Sequence, residues 1–460
     1  MRSLTLAQVA RILDCQGSFP TIEIRGYCTD SRLLQRGELF FALKGERVDG
    51  HAYLEEVWHK GAVAAVVSQD PQGGAGGLSV LVVEETLEAL QRVARVSLAQ
   101  CSTRVIAVTG SLGKTSTKEW IKKLLATKYI VAASPGNRNS QVGVPLAILN
   151  HSTGEEEILV LEMGMTLPGH LAKLVHIAPP DVSVITTVAL VHACHFENLE
   201  EIAWAKGEIF SHPQTRLGIL DRDILSFNKG SRLGQCSKIS FSMTSLEADY
   251  GWDPGNPNVL EARIEEAKVC LGPFPFPGKH HCHNLLAAIA VARDFKIGWD
   301  DIRQTIPSLE LPDRRGQYVR YGDILFVNDS YNAAELSIKA ALECLPEPGT
   351  GGRKIAVLGS MMELGKFSHE AHRRVGEFAL KHVECLYCLG EECLPMCDVW
   401  ERAGCLVRFF NRRLDLVASL RKDLRPLDVV LIKGSRSKEM WKVLEELYPF
   451  HFNRGMGNAL

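Results

Sequence analysis

No stretch of this 460-residue chain is apolar for long enough to cross a bilayer. The densest runs, from Val63 to Val67 and around Leu81 to Val83, fall far short of the roughly 20 residues a spanning helix needs. Charge of one sign is not in excess either: Lys plus Arg number 52 and Asp plus Glu 54, for a formal net charge of -2. No basic excess argues for nucleic acid as a partner. The amino terminus, MRSLTLAQVARILDC, places Arg2, Arg11 and Asp14 in a helical pattern and lacks the uninterrupted apolar core of a secretory signal, so a cytoplasmic location is expected. A paired CxxC grid is missing too, since CLYC at Cys385 to Cys388 has no second CxxC to match it. The 13 cysteines are scattered among apolar positions, which argues for reduced, buried thiols over a disulfide grid. Cys385, Cys388, Cys393 and Cys397 form a looser group with a possible zinc reading, but alternation in the strand-like CLYCLG accounts for the first two without a metal.

What is present is the composition of an ordinary soluble globular protein, 46% hydrophobic and 23% charged. Its length exceeds what one hydrophobic core usually serves, so two or three domains are expected. The chain is organised around RVIAVTGSLGKTSTKEWIKKLLA, from Arg104 to Ala126. A β-branched apolar run, Val105 to Val108, meets a turn punctuated by Gly110 and Gly113, and an amphipathic pattern of Trp120, Ile121, Leu124 and Leu125 follows. Strand, glycine turn and helix in that order aim several backbone N–H groups and a helix N-terminus at one point, which is an anion site. Gly110, Ser111, Leu112, Gly113 and Ser116 supply the cradle. Lys114 supplies charge for the outer phosphates of a nucleotide, and the Thr115 hydroxyl is a candidate magnesium ligand. The position six before Lys114 is Val108, so this is the short variant of the phosphate loop.

Ahead of that loop lies a small α/β unit. TDSR at Thr29 to Arg32 and the polar and glycine residues from Lys44 to His51 bracket an apolar strand, Leu39 to Leu43, and suit either an anion or sugar-phosphate site or plain turn chemistry. Helical spacing from Glu84 to Gln100 reads as a connector. Past the loop, strand and helix signals alternate, with strands apolar on both faces, as in a mostly parallel sheet covered by helices. Glu162 closes the strand Ile158 to Leu161 at the edge where such sheets bind ligands, and suits magnesium opposite a triphosphate. His192 follows a strand expected over Val184 to Val188 and reads as a ligand or as a structural histidine. Lys206 sits on a helix in AWAKGEIF. WDPGNPN, from Trp252 to Asn258, reads as a loop, and His280, His281 and His283 precede an alanine-rich helix. From residue 313, three more strand, turn and helix units build a second doubly wound sheet without a phosphate loop, expected to close over the first.

Taken together, TDSR, GELFFALKG, DGH, TGSLGKT, GNRNSQVGVPL, LEMG, AKGEIF, DSYNA, LGSMMELG and LIKGSRS resemble, in this order, the Mur ligases of peptidoglycan synthesis. The likeness covers nearly the whole chain. It implies an α/β protein of three domains: a small N-terminal α/β domain at 1–83 for a UDP-sugar substrate, a central P-loop ATPase domain with a mostly parallel sheet at 84–312, and a Rossmann-like domain at 313–460. The activity implied is an ATP-dependent amide ligation that adds D-alanyl-D-alanine to UDP-N-acetylmuramoyl-tripeptide through an acyl phosphate, the last cytoplasmic step of UDP-MurNAc-pentapeptide synthesis. ATP and Mg2+ are the cofactors implied, with the two substrates as the only partners and a monomer as the expected assembly.

The resemblance also carries roles over by position. It makes Lys114, Glu162, His192 and Lys206 catalytic, and Thr115, Glu162, His192 and Lys206 metal-holding, Lys206 by carbamylation as in several relatives. Asn284, Asp329, Tyr331 and Asn332 would face the nucleotide, with Arg314 or Arg315 as the nearby arginine and Arg314 the one chosen. Asn137 and Asn139 would line the nucleotide-sugar cleft, and Thr29, Ser31 and Arg32 the uridine diphosphate region. Departures are His281 and Thr187, each where the family has asparagine, and Ser360 where it has aspartate. Two alternatives stay open: a folylpolyglutamate synthase-like ligase, and a P-loop ATPase that acts as a switch.

Overall fold

The computed structural model describes residues 4–46, 48–70, 77–191, 193–226, 234–245, 247–253 and 256–449. They form three sheets in chain order. The first has four parallel strands, Gly26–Cys28, Glu38–Phe41, Ala64–Val67 and Val80–Val82. Its edge strand is not left open. The side-chain amide of Asn150 accepts from the Tyr27 N–H at 2.9 Å and donates to the Tyr27 carbonyl at 2.8 Å, imitating a neighbouring strand from within the second unit.

The second sheet has nine strands. From one edge they run Ala267–Cys270, Asn256–Ala262, Tyr250–Asp253, Ser237–Ser242, Leu217–Asp221, Val182–Ile185, Arg104–Thr109, Ile158–Glu162 and Val131–Ala133. All pairings are parallel except those of the two strands at the first edge. Of the loop expected from Trp252 to Asn258, Pro254 and Gly255 lie outside the described residues, and the flanking positions are strand, with Trp252 in register with Leu260 and Asp253 with Asn256. Arg104–Thr109 lies in the middle because the chain first builds to one side of it and then to the other. Such a reversal opens a crevice at the carboxyl end of that strand, and the phosphate loop stands there.

The strand expected over Val184 to Val188 is observed at Val182–Ile185. It stops early because Thr186 and Thr187 bond to the phosphate loop: Thr186 donates its N–H to the Thr109 carbonyl at 2.9 Å, and the Ser111 N–H donates to the Thr187 carbonyl at 2.6 Å. Helix Lys114–Leu125 lays Trp120, Ile121, Leu124 and Leu125 against Ile106, Val108 and the alanine-rich helix Lys279–Asp294. Each of these large side chains contributes on the order of 2 kcal/mol by leaving water. Helix Thr86–Ala99 buries Leu90, Val93 and Leu98 in a core drawn from both the first and the second units.

The third sheet runs Gln317–Tyr321, Ile324–Asn328, Val429–Lys433, Lys354–Gly359, Cys385–Leu389 and Leu406–Phe410, parallel but for the first pairing. Cys385, Cys388, Cys393 and Cys397 are buried in its core. Among the described residues, no helix is long and apolar enough to cross a membrane.

Candidate active site

A cavity of about 1140 Å³ lies between the second and third sheets. The phosphate loop forms its floor. Gly110, at φ +148°, and Gly113, at φ +80°, hold conformations that L side chains rarely adopt, and both are crowded. A Cβ on Gly110 would stand 1.9 Å from Thr186 Oγ1, and one on Gly113 would stand 2.1 Å from Asn284 Oδ1. The same crowding shows that Asn284, from the start of helix Lys279–Asp294, sits against the turn. Lys114 folds back and donates to the Gly110 carbonyl at 2.8 Å. Burial lowers its ammonium below the usual lysine range; Glu162 opposes that shift and Arg315 reinforces it.

Thr115 Oγ1 donates to Glu162 Oε2 at 2.7 Å. Asn139 Nδ2 donates to the other carboxylate oxygen of Glu162 at 2.7 Å, and the Glu162 N–H donates to Ser134 Oγ at 3.1 Å. The carboxylate at the end of its strand is thus fixed from two sides. Arg315, brought from the start of the third unit, donates through Nη2 to Thr115 Oγ1 at 2.8 Å, and its guanidinium lies 4.2 Å from the Tyr331 ring centroid.

Most of the residues expected from sequence meet here. Ser111 through Ser116 line the cavity, as do Asn137, Asn139, Glu162 and Asn284. Asp329, Tyr331 and Asn332 line it from the third unit. Asp329 takes a contact from Lys433 Nζ at 2.5 Å, between the carboxyl ends of two adjacent parallel strands. The choice of Arg314 is corrected to Arg315. Arg314 has a left-handed backbone, φ +60°, that turns its side chain away, and its guanidinium lies over Trp441 at 4.4 Å. His192 lies outside the described residues.

Lys206 is buried on helix Leu199–Gly207 and does not line the cavity, yet Lys114 is near enough to act on it. Burial first, and then the Lys114 charge, push its ammonium well below the usual lysine range, and it has no partner among the described residues.

The first unit stands apart from this cavity: Thr29, Ser31 and Arg32 do not line it. Ser31 Oγ donates to Glu56 Oε2 at 3.3 Å, and Arg32 grips Asp30 at 2.8 and 2.7 Å. The DGH segment serves loop closure. Asp49 Oδ1 lies 2.6 Å from His51 Nδ1, and His51 Nε2 accepts from the Ser68 N–H at 2.9 Å.

Of the three clustered histidines, His283 Nε2 contacts Asp221 Oδ2 at 2.8 Å. His281 is buried beside Trp120 and Phe276, with no partner for its Nδ1 among the described residues. Burial, reinforced by His280, holds its imidazole down at about 2, so it is neutral.

Lys118 was not expected to matter. Its side chain is fully buried. It donates to the carbonyls of Ser134 and of Gly136, the latter at 2.8 Å, and pairs with Glu119 at 2.9 Å. A lysine on the apolar face of a helix, in register with Ile121 and Leu125, was the available signal.

Three family models match the chain: the Mur ligase family catalytic domain at residues 23–98, the Mur ligase middle domain at 108–292, and the Mur ligase glutamate ligase domain at 314–436. The chain is 32% identical over 432 residues to the UDP-N-acetylmuramoyl-tripeptide--D-alanyl-D-alanine ligase of Synechocystis sp., covering 93% of this chain and 92% of the relative. The crystal structure of MurF ligase from Thermotoga maritima in complex with ADP is similar with a TM-score of 0.76 and 29% identity, over 94% of this chain and 99% of that one. E. coli FolC in complex with DHPP and ADP shares the fold alone, with a TM-score of 0.60 and 17% identity over 80% and 93% of the two chains.

Proposed function

The chain belongs to the Mur ligase family, and from that premise we propose the reading its geometry supports best: an ATP-dependent, ADP-forming amide ligase that adds D-alanyl-D-alanine to UDP-N-acetylmuramoyl-tripeptide in peptidoglycan synthesis. One observation carries it. The Thr115 hydroxyl, at the mouth of the phosphate loop, meets Glu162 of the adjacent strand and Arg315 of the third unit in one cavity.

Joining a carboxylate to an amine in water is uphill. The terminal phosphoryl group of ATP is first transferred to the tripeptide carboxylate, releasing ADP. The dipeptide amine then attacks the acyl phosphate, and the tetrahedral adduct collapses with loss of inorganic phosphate. No protein nucleophile is required; the residues position the reactants and neutralise phosphoryl charge. Lys114 and the loop amides hold the phosphates, while Asn284, Asp329, Tyr331, Asn332 and Arg315 face the nucleotide. Asn139 keeps the Glu162 carboxylate turned toward the loop, and Asn137 and Asn139 border the acid substrate.

Thr115 Oγ1 and Glu162 Oε2, hard oxygen donors 2.7 Å apart, suit Mg2+, and His192 and a carbamylated Lys206 would complete the set that holds it. When bound, the ion offsets the charge of the phosphates. Residues 1–83, with Thr29, Ser31 and Arg32, receive the uridine diphosphate end, 84–312 carry the ATP site, and 313–460 bring the amine. The enzyme works as a monomer in the cytoplasm.

The test is the product mass and the phosphate released after incubation with ATP, the UDP-linked tripeptide and D-Ala-D-Ala. Phosphate release that requires both other substrates, with a product heavier by the dipeptide, supports the ligase. Release with ATP alone supports the ATPase switch instead.

A further inference from the structure

D-Ala-D-Ala carries a carboxylate as well as the attacking amine, so its site needs a cation that is not already committed to the phosphates. The lysine and arginine side chains that line the cavity are Lys114, Lys279, Arg315, Lys433 and Arg436. Three are engaged: Lys114 with the carbonyls of its own loop, Arg315 with Thr115, and Lys433 with Asp329. Lys279 opens the helix that holds Asn284 against the phosphate loop. Arg436 is different. It follows the strand Val429–Lys433 in the third unit, between Ser435 and Ser437, and is exposed to the cavity. It has no anionic partner among the described residues. Its guanidinium lies over the Tyr331 ring, 5.7 Å from the centroid. Arg315 uses the same ring at 4.2 Å while reaching Thr115, so one aromatic side chain is shared by Arg436 and the arginine at the phosphate loop.

We propose that Arg436 binds the carboxylate of the incoming dipeptide and thereby points its amine toward the acyl phosphate. A guanidinium offers a planar fork that matches a carboxylate, and an aromatic ring beneath it limits the orientations to be frozen on binding. The inference rests on the ligase reading and names the part of the site that selects the acceptor.

Steady-state kinetics with two acceptors, D-Ala-D-Ala and the uncharged D-alanyl-D-alaninamide, test it. In Arg436→Ala, KM for D-Ala-D-Ala rises roughly 10- to 100-fold, the range expected when a hydrogen-bonded charge pair is lost, while KM for ATP and for the UDP-linked tripeptide is unchanged. The unsubstituted enzyme prefers the carboxylate to the amide by a similar factor, and Arg436→Ala does not distinguish them. Arg436→Lys, which keeps the charge and loses the fork, retains the preference with an intermediate KM. The assignment is overturned by an unchanged KM in Arg436→Ala or Arg436→Lys, by a preference for the carboxylate that survives in Arg436→Ala, or by a KM rise that follows Lys279→Ala instead. Absence of any ligated product from the unsubstituted enzyme would overturn the ligase reading itself, a separate result.

Discussion

Replacing Lys118 by methionine tests how the carboxylate of Glu162 is held. Methionine keeps the length of the buried stem and removes the ammonium. The Ser134 carbonyl, in a residue 1% exposed, loses its donor, as does the more accessible Gly136 carbonyl. An orphaned buried acceptor costs about 1–3 kcal/mol, and a partly solvated one costs less. The Glu119 carboxylate, 37% exposed, returns to water at little cost. Relief of the buried ammonium's desolvation offsets part of the loss, which leaves about 2–4 kcal/mol. The penalty falls on the segment that holds Glu162, because Ser134 Oγ accepts the Glu162 N–H and Asn139 lies five residues further on. Native-state hydrogen exchange read by mass spectrometry should therefore show protection around Ser134 to Asn139 and at Glu162 reduced by roughly 30- to 1000-fold, at about 1.4 kcal/mol per tenfold. Exchange in the third sheet should be unaltered. Protection within threefold of the unsubstituted protein throughout 134–162 would refute the argument.

Lys114→Ala should lower kcat/KM by at least about 100-fold, on the order of 3 kcal/mol of transition-state stabilisation, in a variant with an unchanged circular dichroism spectrum; near-normal turnover would count against the phosphate site. Lys206, buried and shifted toward the neutral amine, should take up carbon dioxide. Carbon-13 NMR with labelled bicarbonate should show a carbamate carbonyl that is missing in Lys206→Gln, and its absence from the unsubstituted protein would reject carbamylation. His281 should make the fold acid-sensitive. Its imidazole is held at about 2 in the folded chain and returns to about 6.5 when unfolded, so the unfolded state binds more protons between those values. The stability it supports is complete above about pH 6.5 and is lost as pH falls through that window. Denaturation midpoints of His281→Asn should decline less steeply from about pH 6 to pH 4, by up to one proton, or about 1.4 kcal/mol per pH unit; parallel slopes would show that the ring is not responsible.

Some of this site was legible because its parts are contiguous. TGSLGKT needs only its own strand, turn and helix to form an anion cradle, and the sequence carries all three within 23 residues. Strand-end placement of Glu162 followed from the apolar run before it. Lys433 and Asp329 were harder: they stand 104 positions apart and meet only because their strands pair in parallel. Arg314 and Arg315 are indistinguishable as letters. One is turned away by a left-handed backbone, and the other crosses to Thr115. Thr187, a departure from the family pattern, meets the phosphate loop through its carbonyl, which accepts from the Ser111 N–H, a contact that does not depend on the side chain.

The amino-acid sequence alone determined the three α/β units, the phosphate loop and the buried strands, since these depend on periodicity, glycine placement and side-chain type over short spans. Tertiary structure alone decided which cation faces which partner, that Lys118 braces the segment behind Glu162, that the first unit's TDSR turn lies away from the main cavity, and that Arg436 lies over Tyr331 with no anionic partner among the described residues. The physical reason is that pairing between remote side chains depends on strand register and domain approach, and neither is written in the spacing of any single segment.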